Sequence, residues 1–130
     1  MSPASGIALM MNNYFHDVAT ALLAASAVGL WVLLRRYEAG PRAPEAARYF
    51  LEIQGAMVKL ARFSVAWIVL GGIPRTIWYA DFEWANAAGR GQVPALVVKH
   101  LFALAFVLFG VAFWRRLRAR VRAVEAGLKG

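Results

Sequence analysis

The 130-residue chain contains no cysteine. This absence excludes disulfide bonds, thiolate-ligated iron–sulfur clusters, covalent c-type haem attachment and a cysteine nucleophile. Acidic side chains are also scarce, because seven Asp and Glu residues stand against fifteen Lys and Arg residues. The first 13 residues carry no Lys or Arg, and so lack the basic region of a secretory signal peptide. We therefore expect the first apolar run to be retained as a membrane span.

Apolar residues, by contrast, make up 61% of the chain and are concentrated in three runs. A helix that crosses a bilayer needs about 20 mainly apolar residues. The runs predict spans at about residues 14–34, 59–78 and 94–114, followed by a basic tail at residues 115–130. We predict an all-α fold: an integral membrane bundle of three transmembrane helices that forms one domain over residues 1–130.

A segment with charged residues precedes the second span. Residues 45–62 place apolar side chains at helical spacing but interrupt them with Arg, Glu and Lys, a pattern typical of an amphipathic helix. We predict that this amphipathic extension runs into the second span. Pro44 and Pro94 suit the first turns of the second and third helices. Residues 71–74 hold two glycines and a proline, which predict a break or kink.

Polar residues are expected at the start of the first helix and in the connection after the second span. Asn12 or Asn13 is expected to cap the first helix, with Asp17 in its first turn. Residues 79–92 are expected to form a loop or a short interfacial helix with an aromatic belt. We interpret the carboxylates near this face as solvated loop and cap charges, with a proton relay or quinone site as the alternative: Asp17, Asp81 and Glu83.

Basic residues distinguish the two faces of the predicted bundle. Six lie between residues 35 and 62 and six lie in the tail, whereas three lie on the other face, namely Arg75, Arg90 and Lys99. The positive-inside rule then predicts a cytoplasmic C-terminus and an N-terminus outside. We interpret the basic flanks as contacts for membrane lipid, not for nucleic acid. The Arg- and Ala-rich composition favours a bacterial protein, and hence a bacterial inner membrane.

His16 and His100 are the only histidines, and each lies near the start of an apolar run. Helical rise places His16 about 28 Å from Arg35 and His100 about 22 Å from Arg115. Both rings then lie in the outer leaflet, about one helical turn apart in depth. Two imidazoles on neighbouring helices are the ligands that hold a b-type haem from both faces. We predict that His16 and His100 bind haem b, with Arg75 and Lys99 as partners of its propionates.

Other interpretations of these side chains stay open. The histidines are alternatively structural or interfacial, with His16 beside Asp17, or they bind a metal other than haem iron. Lys99 either snorkels to the surface or faces the bundle. Arg75 is either an interfacial anchor or a propionate contact.

Two short stretches resemble known families. Tyr14-Phe15-His16-Asp17 and Ala95-Leu96-Val97-Val98-Lys99-His100 are similar to the histidine and lysine span starts of the CopD-like copper-resistance family and of the HemJ-like protoporphyrinogen oxidases. The resemblance implies a haem-associated membrane protein. This chain departs from those families in having three predicted spans, where four or more are expected, and in having a histidine beside the lysine.

These observations predict a b-type haem membrane subunit that carries electrons between quinone and a partner redox protein. A single haem does not cross the whole bilayer, so we expect a homo-oligomer or a larger membrane redox complex. The alternatives are a HemJ-like porphyrinogen-oxidising enzyme, with His16 and Lys99 at its site, and a cofactor-free anchor or assembly subunit of a membrane complex.

Overall fold

A computed structural model describes residues 2–130, which are almost entirely helical and include no strand. The elements, in chain order, are α1 (Pro3–Ala39), α2 (Pro44–Ile77), a π-helical turn (Ala80–Trp84), α3 (Ala85–Gly89) and α4 (Val93–Lys129). The helices α1, α2 and α4 are each long and apolar enough to cross a membrane. The all-α fold with three membrane-spanning helices is therefore confirmed.

The first helix begins much earlier than predicted. Ser2 caps α1 by accepting a hydrogen bond from the backbone N–H of Ser5 at 3.2 Å, and Pro3 occupies the first turn. A serine cap followed by proline is a strong helix start. The prediction that Asn12 or Asn13 caps this helix, with Asp17 in its first turn, was therefore wrong, because these residues lie well inside α1.

The second helix begins at Pro44, as predicted, and continues without a break to Ile77. The amphipathic segment 45–62 and the apolar segment are thus one helix. Pro74 does not end it, because this proline lies near its C-terminus and its own carbonyl still accepts the N–H of Trp78 at 3.1 Å. The connection that follows is the π-helical turn and α3, and the chain turns at Gly91, whose φ is 65°.

An antiparallel hairpin of α1 and α2 forms the main packing interface. Its buried positions are mostly small or aliphatic, including Ala19, Leu30, Ala61 and Ser64. Small side chains allow the close helix approach that membrane helices use for packing. The buried Ser64 hydroxyl donates to the carbonyl of Leu60 at 2.9 Å, which satisfies its hydrogen-bonding need within the helix.

The fourth helix joins this hairpin near its two ends. Toward its C-terminus, Leu117 and Val121 are buried with Leu30, Leu34 and Phe50. At its start, Lys99 is bonded to Glu83 of the π-helical turn. Every residue from 97 to 109 is exposed, although these residues form the middle of the predicted span. The apolar middle of α4 is therefore not buried by α1 or α2.

One ion pair joins α4 directly to α1. Arg120 binds Glu38, 82 residues earlier, through a hydrogen bond of 3.0 Å from Nε. At the opposite end, Lys99 binds Glu83 of the π-helical turn and Asp17 of α1 lies beside Arg75 of α2, so the link between α4 and α1 there is indirect. We refer to the end around Glu38 and Arg120 as the arginine end and to the opposite end as the Glu83 end.

Gly29 should be intolerant of a large side chain. A Cβ at this position would approach Met57 Cε at 2.7 Å, whereas a Cβ at Gly55 meets nothing within 4 Å. We expect Gly29→Leu to lower the free energy of unfolding by about 1–3 kcal/mol relative to Gly55→Leu, because overpacking forces the two helices apart. Thermal unfolding in one detergent measures the difference. Equal stabilities of the two variants would show that the flexible end of Met57 moves aside at little cost and that the helix approach does not depend on Gly29.

Candidate functional site

Glu83 is the centre of an ion-pair cluster at the end where three helices meet. Arg75 Nε donates to Glu83 Oε1 at 2.6 Å, and Lys99 Nζ donates to Glu83 Oε2 at 3.3 Å. Arg75 Nη1 also lies 3.5 Å from Asp17 Oδ1. The cluster thus links α1, α2, the π-helical turn and α4 through four charged side chains.

The side chain of Glu83 is only 12% exposed, so it is not the solvated loop charge that the sequence indicated. Partial burial raises the pKa of Glu83. The hydrogen bond and charge of Arg75, together with Lys99, lower the pKa by more than burial raises it. The resulting pKa lies below the ordinary value for glutamate. Glu83 therefore stays ionised in the folded protein to a lower pH than in the unfolded chain.

His16 packs directly against α2 at two glycines. A Cβ at Gly71 would lie 3.7 Å from His16 Cδ2, and a Cβ at Gly72 would lie 3.9 Å from His16 Nε2. Asn12, one turn earlier, donates its side-chain amide to the carbonyl of Gly71 at 2.7 Å. His16 Nδ1 is buried without a hydrogen-bond partner among residues 2–130, and it lies 3.9 Å from Asp17 Oδ1. His16 is therefore a half-buried ring with one buried nitrogen, Nδ1, whose hydrogen-bonding capacity the described chain does not fill.

His100 has a defined ring orientation. Its Nδ1 lies 2.7 Å from the carbonyl of Leu96. Since a carbonyl only accepts, this contact assigns the proton of neutral His100 to Nδ1 and leaves the Nε2 lone pair free. The ring packs edge-on against Tyr79, with centroids 5.6 Å apart, and the residue is exposed. The Leu96 carbonyl, one turn earlier in α4, therefore orients this ring.

The two histidine rings have separate contacts. His16 of α1 lies against Gly71 and Gly72 of α2, and His100 of α4 lies against Tyr79. These contacts belong to different residues, so no described residue touches both rings through them.

Small residues follow both histidines toward the arginine end. Thr20, Ala24 and Ala27 lie on the side of α1 that also carries Glu38, the residue that reaches α4. On α4, Ala103 and Gly110 precede Leu117 at heptad spacing, and Leu117 is buried against the hairpin. Ala103 is exposed and a Cβ at Gly110 would meet nothing within 4 Å, so these two residues of α4 are not packed against the hairpin.

The predicted site residues thus fall into two groups. Arg75 and Lys99 are brought together by Glu83, which the sequence analysis interpreted as a solvated charge. The histidines have separate contacts. A cavity of about 610 Å³ adjoins the ion-pair cluster, and its polar lining includes Asn13, Asp17 and Gln92.

Sequence reasoning did not predict the contacts of two residues that matter here. Glu83 and Tyr79 lie in the stretch interpreted as a loop with an aromatic belt. For Glu83 a signal existed, since it stands between Arg75 and Lys99 in a region with few carboxylates. For Tyr79 no sequence signal distinguishes it from Trp78 or Trp84, because its contact with His100 is tertiary.

Comparison with known proteins returns no match: no family model, no curated protein and no solved structure is significantly similar to this chain.

Acid should weaken the ion-pair cluster through Glu83. Because the pKa of Glu83 is depressed in the folded state, its stabilising contribution is present above the unfolded pKa, near 4.5, and is lost as pH falls through the folded value. We expect Glu83→Gln to be less stable than the unmodified protein at pH 7. Between pH 6 and pH 3, the stability of the variant should fall by less than that of the unmodified protein.

The measurement is the thermal midpoint in a single detergent as a function of pH. Asp81→Asn is the matched control, because Asp81 is exposed and makes no ion pair within the described part of the chain. Identical pH profiles for Glu83→Gln and the unmodified protein would show that the cluster does not stabilise the fold.

Proposed function

We propose that this chain is a b-type haem-binding membrane subunit that carries single electrons between quinone and a partner redox protein. The observation that carries the proposal is the His100 ring, whose Nδ1 is bonded to the Leu96 carbonyl while Nε2 remains free. Neutral imidazole with one nitrogen fixed by a carbonyl is a favourable ligand for iron.

His16 is the second proposed ligand. Its ring nitrogen Nδ1 is buried without a hydrogen-bond partner among residues 2–130, and a buried polar group is costly unless something binds it. The sequence places His16 and His100 about one helical turn apart in depth, a difference that helix tilt can absorb. Small residues follow both histidines along their helices, which favours the approach of a flat macrocycle.

Arg75 and Lys99 are proposed to meet the propionates of the haem. Each already binds Glu83, but Arg75 has further guanidinium N–H donors and the Lys99 side chain is 55% exposed. Bound haem would supply reversible one-electron chemistry at its iron. The residues of this chain would orient the ring, hold its carboxylates and exclude water from it.

The proposed orientation places the Glu83 end outside and the arginine end in the cytoplasm of a bacterial inner membrane. The distribution of basic residues supports it, because twelve of the fifteen fall in the two segments of the arginine end, residues 35–62 and 115–129. Because one haem near the outer surface does not span the bilayer, the subunit would act within a homo-oligomer or a larger redox complex.

A cofactor-free anchor subunit is the second candidate. The observation that favours it is the exposed run 97–109 on α4, which a helix of a partner subunit could cover in place of a macrocycle. Small residues and aromatic side chains along α4 suit helix–helix contacts in a membrane. This candidate predicts a colourless protein.

A reduced-minus-oxidised absorption spectrum of the full-length protein, expressed with sufficient haem, tests the proposal. We expect a Soret band and the α-band of a six-coordinate b-type haem. His16→Ala and His100→Ala should each weaken haem binding more than the about 10–100-fold that loss of an outer-shell partner costs.

Asn86→Ala serves as the control, because Asn86 is a polar residue of the same end that is not a proposed ligand. The control should keep the spectrum of the unmodified protein. A protein without a haem band under these conditions, or a band unaltered by both histidine substitutions, would refute the proposal.

A further inference from the structure

A second cavity, of about 480 Å³, lies at the arginine end. It is bounded by the last turn of α1, the connection to α2, the first turn of α2 and the last turns of α4. One part of its lining is polar and the other apolar. The polar part comprises Tyr37, Glu38, Arg42 and Arg120, and the apolar part includes Pro44, Ala47, Ala123, Val124 and Leu128. Such a lining suits a ligand with a charged group and a hydrocarbon portion.

The charges that line this cavity do not balance. Arg120 is bonded to Glu38 through both Nε and Nη2. Arg42 is exposed and forms no ion pair within residues 2–130. Glu38 is the single carboxylate among the lining residues, and Glu45 of the first turn of α2 is not among them. The two arginines and one glutamate leave one positive charge, which matches the single negative charge of a phosphodiester.

The cavity lies at headgroup depth if α1 crosses a bilayer. Leu34 ends the apolar run of α1 and is fully buried, and residues 37 and 38 lie three and four positions farther. Helical rise places them about 5–6 Å beyond Leu34. The headgroup zone on each side of the hydrocarbon core is about 5–8 Å thick. The position of the cavity therefore coincides with that of lipid phosphates.

We propose that this cavity binds the phosphate of an anionic phospholipid, with Arg42 as its main contact. Arg120 supplies further guanidinium donors beyond those used by Glu38. The apolar wall on α2 and α4 contacts the glycerol backbone and the first acyl carbons. Inorganic phosphate shares the charge chemistry but has nothing to place against the apolar wall.

Native mass spectrometry of the full-length protein, released from detergent with either phosphatidylglycerol or phosphatidylcholine, tests the proposal. We expect one phosphatidylglycerol to be retained in preference to phosphatidylcholine. Arg42→Gln should reduce that retention about fivefold, the loss expected for one arginine at an anionic membrane surface. Arg118→Gln is the matched control, because Arg118 is an exposed arginine of the same end that lies outside the cavity.

Three outcomes would overturn the assignment. Equal losses in Arg42→Gln and Arg118→Gln would indicate diffuse attraction to the basic surface, not a site. Equal retention of the two lipids would exclude recognition of an anionic headgroup. If inorganic phosphate at matched ionic strength raised the thermal midpoint as much as phosphatidylglycerol, and Arg42→Gln removed the effect, the site would belong to free phosphate. A preference for phosphatidylglycerol lost only in Arg42→Gln supports the proposal.

Discussion

The ion-pair cluster around Glu83 is the constraint on which the arrangement of the three long helices depends. In a protein with so few carboxylates, one glutamate holds Arg75 of α2 and Lys99 of α4, and Arg75 reaches Asp17 of α1. Charge pairs are strongest where solvent is partly excluded, and Glu83 is mostly buried. The cluster therefore fixes the start of α4 at a place where apolar packing contributes little.

The opposite end of α4 is held by different forces. There the apolar cluster of Leu30, Leu34, Phe50, Leu117 and Val121 supplies the packing, and the Arg120–Glu38 pair fixes the register. The α1–α2 hairpin, by contrast, packs through small residues along its length. The molecule thus combines a closely packed hairpin with a third long helix that contacts it near both ends and stays exposed over residues 97–109.

The features that the sequence predicted correctly are those set by local composition. Long apolar runs identify three helices because the bilayer imposes their length, and Pro44 marks a helix start because its ring fits the first turn. The errors have equally physical causes. The first helix begins at Ser2 and Pro3, before the two asparagines that were expected to cap it. Glu83 is mostly buried because it pairs with cations that are distant in sequence. Tertiary ion pairs of this kind leave no periodic signal in a single chain.

The histidines show the limit of an estimate made from charges alone. Basic residues at span ends place each histidine only to within about a helical turn, because long cationic side chains reach the interface from different depths. Depth along a helix also says nothing about which neighbour a ring faces. That is set by tertiary contacts, which place His16 against Gly71 and Gly72 of α2 and His100 against Tyr79. Because these contacts lie on different parts of the molecule, a similar depth does not by itself bring the two rings together.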